Sequence, residues 1–143
     1  MFNSNNVLIF QNSNCIYPNK SECFSPSTNY PEYKFPSEIA KSENMVYDML
    51  RNCLIKMGLD KENYGTANWN PLKDIVKPGD NVLIKPNMVM HENKIKENGI
   101  DCLITHPSLI RAIIDYVIIA LEGKGEIVIT RDDNSEVYLE FFD

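Results

Sequence analysis

A strand, a helix and a second strand follow one another in the second half of the chain, and this order constrains the fold most. The runs at 82–84 (VLI) and 127–129 (IVI) are unbroken apolar segments, which are typical of strands buried in a parallel sheet. Between them, residues 107–121 carry apolar side chains at three- and four-residue spacing, the period of a helix. Because such a unit almost always joins parallel strands, the sequence predicts an α/β fold.

Two helices are predicted, each with its own boundary signals. The helix at 107–121 begins at Pro107, whose missing N–H costs nothing in a first turn. An earlier helix is capped by Ser37 or Ser42 and ends before Gly58. Its apolar stripe, which we expect in the core, consists of Val46, Met49, Leu50, Cys53, Leu54 and Met57.

A further strand is predicted at Val7–Phe10, a short apolar run followed by turn-forming residues. Lys77–Asp80 (KPGD) has Pro and Gly at the central positions of a type II turn, and it leads into the strand at 82–84. The expected architecture is a small, mostly parallel sheet of about three strands with crossover helices. Because such a sheet keeps an unpaired edge and needs both faces covered, we expect an incomplete, truncated domain or one that needs a partner.

We expect residues 1–143 to form a single domain, since 143 residues suit one domain and leave little room for a second. Residues 11–36 are irregular, because their repeated prolines deny a helix. The aromatic side chains scattered through this segment indicate that it lies on the core. The tail at 131–143 shows no clear period and is expected to diverge from the rest.

Charge and apolar content exclude several classes of partner. Lys and Arg number 14, Asp and Glu number 20, and the net charge is −6. Without clustered cations, neither nucleic acid nor an anionic membrane is an expected partner. The longest apolar run, Val117–Leu121, is far too short to cross a bilayer. The first residues show no targeting pattern, so a cytoplasmic location is expected.

Polar side chains follow the predicted strands at the edge where open parallel sheets bind ligands. Lys85 and Asn87 come directly after the strand at 82–84, and Thr105 and His106 precede a helix that starts at the same edge. Backbone N–H groups at a helix start attract anions. We expect Lys85, Asn87 and Thr105 to bind a phosphate or carboxylate there. His106 is the candidate acid/base residue.

Each of these residues also has a plainer explanation. His106 can cap the helix or fill a turn, Lys85 can be solvated at a strand end, and Asn87 can be a turn residue. Other polar residues near this edge are more readily explained as solvated side chains, namely His91, Asp132 and Asp133.

Several enzyme classes are disfavoured because their motifs are missing. The chain contains no GxGxxG, GxxxxGK[ST], HExxH or GxSxG pattern. Its four cysteines, at 15, 23, 53 and 102, have no CxxC spacing, so we expect reduced thiols and no metal site.

Three stretches between Pro71 and Thr130 resemble one family. They read PLKDIVKPGDNVLIKPNMV, ITHPSLIRAIIDYVIIAL and GKGEIVIT. The KPGD turn, the strand ending in Lys-Pro-Asn and the Thr-His-Pro helix start are similar to the opening third of the uncharacterised family called domain of unknown function 362. With weaker similarity at the first predicted strand and helix, the resemblance covers about 7–130. The matching positions are Lys77, Pro78, Gly79, Asp80, Lys85, Pro86, Asn87, Thr105, His106, Pro107 and Arg111.

The resemblance implies an α/β domain of a kind often found in much longer bacterial and archaeal proteins, and it implies no established reaction. Some relatives carry ferredoxin-like iron–sulfur modules, but no ferredoxin cysteine motif is present here, and the cofactor is left open. Where the family pattern continues with Gly-Asp, this chain has Arg131, Asp132 and Asp133. The remaining two thirds of a typical member have no counterpart.

The leading hypothesis is an enzyme-like α/β domain, the N-terminal part of a larger protein, that binds a small anionic ligand at the carboxyl ends of its strands. One alternative is a non-catalytic interaction module that docks on a partner, or on a second copy, through an exposed sheet edge. Another is a truncated fragment without activity.

Overall fold

The two strands predicted on either side of residues 107–121 pair in parallel. β1 (Asn81–Ile84) and β2 (Glu126–Thr130) are neighbours in the sheet, and α2 (Pro107–Leu121) lies between them in the chain. β3 (Glu136–Leu139) pairs antiparallel with the other side of β2, which gives the strand order β1-β2-β3. The predicted mixed α/β class is therefore confirmed.

The computed structural model of the chain describes residues 7–19, 24–88, 92–95, 97, 99–130 and 136–139, the last of these through the backbone alone. One further helix, α1 (Met45–Lys56), precedes β1, and short 3-10 turns lie at Pro36–Glu38 and Lys61–Asn63.

The strand predicted at Val7–Phe10 is wrong. The segment carries no strand assignment, and the side chains of Val7 and Ile9 are 86% and 83% exposed. Instead of pairing with a strand, Phe10 places its ring 5.7 Å from the Lys56 ammonium at the end of α1. The apolar pattern favours an extended backbone, but a strand also needs a partner, which is absent among the described residues.

The finer architecture also differs from the prediction. The sheet contains one parallel and one antiparallel pair, and its third strand lies in the tail, whose sequence without a clear period left a short helix and a short strand both open. In the described part of the chain only α2 lies between paired strands, because α1 comes before the sheet begins. A mostly parallel sheet with several crossover helices is therefore not confirmed.

The KPGD segment forms the predicted turn. The Asp80 amide donates to the Lys77 carbonyl at 3.0 Å, and Gly79 has φ +94°, a value that the third position of a type II turn requires. The turn lies against the start of β2, because the Gly79 amide donates to Lys124 O at 3.1 Å and the Glu126 amide donates to Asp80 O at 3.2 Å.

α2 has the predicted bounds, whereas α1 has a different cap. The buried Asn44, and neither Ser37 nor Ser42, caps α1: its side-chain oxygen accepts from the Tyr47 amide at 3.2 Å. The Asn44 amide group also donates to Phe24 O and Ser25 O, at 3.0 and 2.9 Å. A serine hydroxyl could not join both carbonyls while capping the helix, which explains the choice of asparagine.

The apolar stripe predicted for α1 is only partly in the core. The buried residues of this helix are Val46, Tyr47 and Arg51, while Met57 is 52% exposed. Leu50 and Leu54 pack against the core from partly buried positions. Periodicity placed the apolar residues on one face correctly, but Val46 is the only member of the stripe that is fully buried, and a tyrosine and an arginine are buried beside it.

The core has an aromatic cluster on one side of α2 and an aliphatic cluster on the side that packs against β2. Val117, Ala120 and Leu121 of α2 pack with Ile127 in the aliphatic cluster. The aromatic cluster includes Tyr33 from the irregular segment, so the prediction that this segment lies on the core is confirmed for residues 24–36. Residues 11–19 are exposed or half-buried, and the prediction is not confirmed for them. The members of the aromatic cluster are Tyr33, Tyr47, Trp69, Ala112, Tyr116 and Ile119.

A charged pair is buried inside the aromatic cluster. Arg51 Nε donates to Glu32 Oε1 at 2.7 Å, and the two residues are 8% and 1% exposed. Tyr116 from α2 donates its hydroxyl to the same carboxylate oxygen at 3.3 Å. Burial acts to lower the pKa of Arg51, but the hydrogen bond and negative charge of Glu32 outweigh it and raise that pKa. The guanidinium also lies over the rings of Tyr30, Tyr64 and Trp69, at 4.1, 4.6 and 5.0 Å from their centroids.

Removing one member of this pair should destabilise the domain strongly. Arg51→Met leaves the Glu32 carboxylate buried without its cation, which should lower the free energy of unfolding by about 3–5 kcal/mol. The double variant Glu32→Leu/Arg51→Met removes both charges. Its loss in the free energy of unfolding should be smaller, by about 1–3 kcal/mol, than the sum of the losses in Glu32→Leu and Arg51→Met. Urea unfolding of all four chains measures this, and strictly additive losses would contradict the buried pair.

A second stability prediction concerns the contact between Gly125 and the KPGD turn. A Cβ atom built on Gly125 would overlap the Asp80 backbone oxygen, whereas one on Gly123 meets nothing within 4 Å. Both glycines have positive φ, so Gly123→Ala should cost about 1–2 kcal/mol from backbone strain alone. Gly125→Ala should cost a further 1–3 kcal/mol or so, because the strand start must shift. Equal losses in thermal unfolding would show that the close approach is absent.

Candidate functional site

The end of β1 and the start of α2 are joined by two hydrogen bonds. The Thr105 amide donates to Asn87 O at 2.7 Å, and the Asn87 amide donates to the Thr105 hydroxyl at 3.0 Å. One residue further along, Met88 and Ile104 form an antiparallel bridge. The structure therefore brings together the two segments that carry the predicted ligand-binding residues, as expected for segments that meet at one edge of a sheet.

The end of β1 and the start of α2 together form a rim, and the side chains on it differ in exposure. Lys85 and Asn87 are exposed on either side of the buried Pro86, and Thr105 is half-buried. The Thr105 hydroxyl already accepts a hydrogen bond from the Asn87 amide, so its oxygen helps to join the end of β1 to the start of α2. Lys85 and Asn87 are thus the two predicted ligand residues with side chains that a solute can reach.

His106 is buried, with 2% of its surface exposed. Its Nδ1 accepts a hydrogen bond from the Ser108 amide at 3.3 Å, so the His106 side chain caps α2. The same nitrogen lies 2.8 Å from the Ser108 hydroxyl. Its ring stacks on Tyr17 with centroids 4.0 Å apart, and Phe24 approaches edge-on at 5.5 Å. The capping interpretation of this residue is confirmed, while its acid/base role stays a prediction.

The first turn of α2 has few amide donors left for a ligand. Pro107 has no N–H, the Ser108 amide bonds to His106 Nδ1, and the Leu109 amide donates to His106 O at 3.0 Å. A proline at the first position together with a histidine cap therefore satisfies the donors that a helix start usually offers. An anion at this rim would be held by side chains.

A second charged cluster lies on the face of α2 turned toward the aromatic cluster. Arg111 Nε donates to Asp115 Oδ1 and its Nη2 donates to Glu38 Oε2, both at 2.8 Å. Asp115 is 2% exposed, and it also accepts the Tyr47 hydroxyl at 3.2 Å. Burial raises the pKa of Asp115 in spite of the nearby guanidinium, which acts to lower it. The sequence signal for this cluster is an Arg–Asp pair four residues apart on an otherwise apolar helix.

Several predicted residues cannot be placed, because His91, Asp132 and Asp133 lie outside the described residues. Over the part of the chain that is described, no group of three or more His, Cys, Asp or Glu side chains is arranged to hold a metal ion. No helix in that same part is long and apolar enough to cross a membrane.

Comparisons with protein-family models, curated proteins and solved structures found no match for this chain. The resemblance to domain of unknown function 362 therefore stays a prediction.

The capping role of His106 makes a stability prediction. His106→Ala removes the cap and the ring, and it should lower the free energy of unfolding by about 1–2 kcal/mol. His106→Asn keeps a side-chain acceptor at the cap position and should recover about half of that loss or more. Denaturant unfolding of the two variants checks this, and indistinguishable losses would mean that Nδ1 contributes nothing to the start of α2.

Proposed function

We propose that this domain is enzyme-like and binds a small anion, a phosphate or a carboxylate, at the rim formed by the end of β1 and the start of α2. Lys85 supplies the positive charge, and the Asn87 side chain orients the ligand. The observation that carries the proposal is the pair of hydrogen bonds between Asn87 and Thr105, since it fixes both segments side by side.

The chemistry of the rim supports a small ligand. A lysine ammonium is a mobile point charge with three donors, and an amide adds two directed donors, which suits an anion with several acceptor oxygens. Because the first-turn donors of α2 are already bonded, the ligand receives few further hydrogen bonds and affinity should be modest. In this proposal His106 positions the start of α2, and it does so through its cap.

A titration with inorganic phosphate tests the proposal directly. In ¹⁵N-labelled protein, phosphate should shift the amide signals of Lys85, Asn87 and Thr105 along saturable curves. Lys85→Ala should weaken binding about tenfold or more, because a hydrogen bond to a charged group is lost.

Lys124→Ala is the matched control, since Lys124 is also exposed but lies just before β2 begins, at the opposite end of the strands. It should leave the phosphate curves unchanged. Equal weakening of phosphate binding in both variants would mean that the effect arises from net charge alone. Amide signal shifts that do not saturate in the wild-type protein would overturn the proposal.

A second candidate is an interaction module in which two copies of the chain meet at β1. The observation that favours it is Leu83, which is 63% exposed while its neighbours Val82 and Ile84 pack against the aliphatic cluster. β1 is also an edge strand of the described sheet, with β2 on one side only. An exposed apolar side chain on an edge strand favours pairing with another strand.

Sedimentation at increasing concentration separates this candidate from a monomeric ligand-binding domain. Self-association through β1 should appear as a dimer that Leu83→Lys abolishes. Ile75→Lys changes another exposed apolar residue, 54% exposed but outside the sheet, and should leave the dimer intact. A monomer at every concentration would contradict the interaction module and leave the anion-binding proposal standing.

A further inference from the structure

Part of the apolar stripe of α1 faces an open cavity. Val46, Met49, Leu50 and Cys53 recur at three- and four-residue spacing on this side of the helix, while Tyr47 and Arg51 point into the aromatic cluster. The cavity has a volume of about 590 Å³. Its other walls come from the first turn of α2 and from the segment before residue 18, and they consist of Leu109, Cys15, Ile16 and Tyr17.

The size of this cavity compares with that of known ligand sites. Because the cavity is open, the apolar side chains that line it lack protein contacts on its open side. Small-molecule sites typically occupy about 300–1,000 Å³, a range that includes this cavity. The volume therefore fits a bound small molecule.

The lining defines the chemistry of the occupant. Among the described residues that line it, none carries a charged side chain, and their polar groups are the Tyr17 hydroxyl and the thiols of Cys15 and Cys53. A charged solute would lose its hydration there without gaining a counter-charge, whereas an apolar solute would release water from both surfaces. We propose that this cavity is a binding site for an uncharged, mainly apolar small molecule, separate from the anion site at the rim.

The walls of the cavity differ in how firmly they are held. Ile16 and Tyr17 are 77% and 52% exposed, so the segment that closes the cavity on this side is itself only partly packed. Tyr17 also stacks on His106, which caps α2, so one wall of the cavity rests on a fixed helix start. The opposite wall is α1, which the buried Glu32–Arg51 pair holds in place.

Binding of N-phenyl-1-naphthylamine, an uncharged aromatic probe, tests the proposal. Its fluorescence should rise along a saturable curve with the full chain. Met49→Trp places a larger side chain in the cavity and should weaken binding about tenfold or more. Met57→Trp is the matched control, because Met57 follows α1 directly but is 52% exposed and does not line the cavity. It should bind the probe as the wild-type chain does.

Cysteine alkylation in the wild-type chain gives a second readout that does not depend on a variant folding. Cys15 and Cys53 line the cavity, whereas Cys102 is exposed elsewhere and serves as an internal control. Saturating probe should slow alkylation of Cys53 by iodoacetamide about tenfold and leave Cys102 unchanged, as read by peptide mass spectrometry.

Three results of the probe experiments would overturn the proposal. They are a fluorescence rise that does not saturate, equal binding by Met49→Trp and Met57→Trp, and alkylation of Cys53 that the probe does not slow. The proposal would also be overturned if the chain formed a dimer and Cys53 became reactive only when that dimer dissociated. The cavity would then be covered by a second copy. None of these results depends on the anion site, which is tested with phosphate.

Discussion

The buried ion pair between Glu32 and Arg51 organises the half of the domain that lies away from the sheet. Glu32 comes from an irregular segment and Arg51 from α1, and the Tyr116 hydroxyl of α2 joins the same carboxylate. Two charges removed from water require good geometry and further hydrogen bonds, or their desolvation outweighs their attraction. The Tyr64 hydroxyl accepts a further hydrogen bond from Arg51, and the aromatic rings around the guanidinium add cation–π contacts. Three distant segments therefore become mutually dependent.

α2 transmits this arrangement to the sheet and to the candidate sites. One side packs against β2 through aliphatic residues, while Tyr116 and Ala112 face the aromatic cluster. Its first turn is held by the His106 cap, and the preceding Thr105 holds the end of β1. Because Tyr47 and Arg51 turn one side of α1 toward this cluster, the neighbouring apolar stripe is left facing a cavity. The rim and the cavity thus both adjoin the start of α2.

Local patterns predicted the elements whose partners lie close in sequence or whose periodicity is strong. β1, α2 and β2 were predictable because their apolar runs and boundary residues agree with their packing. Val7–Phe10 carries a similar apolar run but has no strand partner within the described part of the chain, which no local pattern reveals.

Glu32 and Arg51 would be placed on the surface by residue type, since charged residues are seldom buried unless paired, and the pairing spans 19 positions. The contact between Asn87 and Thr105 followed from sheet geometry. The capping of α2 by His106 was one of the alternatives, and packing decided it.

Amide hydrogen exchange tests most directly whether the buried pair makes the irregular segment part of the core. The Tyr33 and Ala40 amides, bonded to Tyr30 O and Pro26 O, should exchange as slowly as those of α1 and α2, while residues 7–11 exchange fast. Fast exchange at Tyr33 and Ala40, with α1 and α2 still protected, would contradict the account.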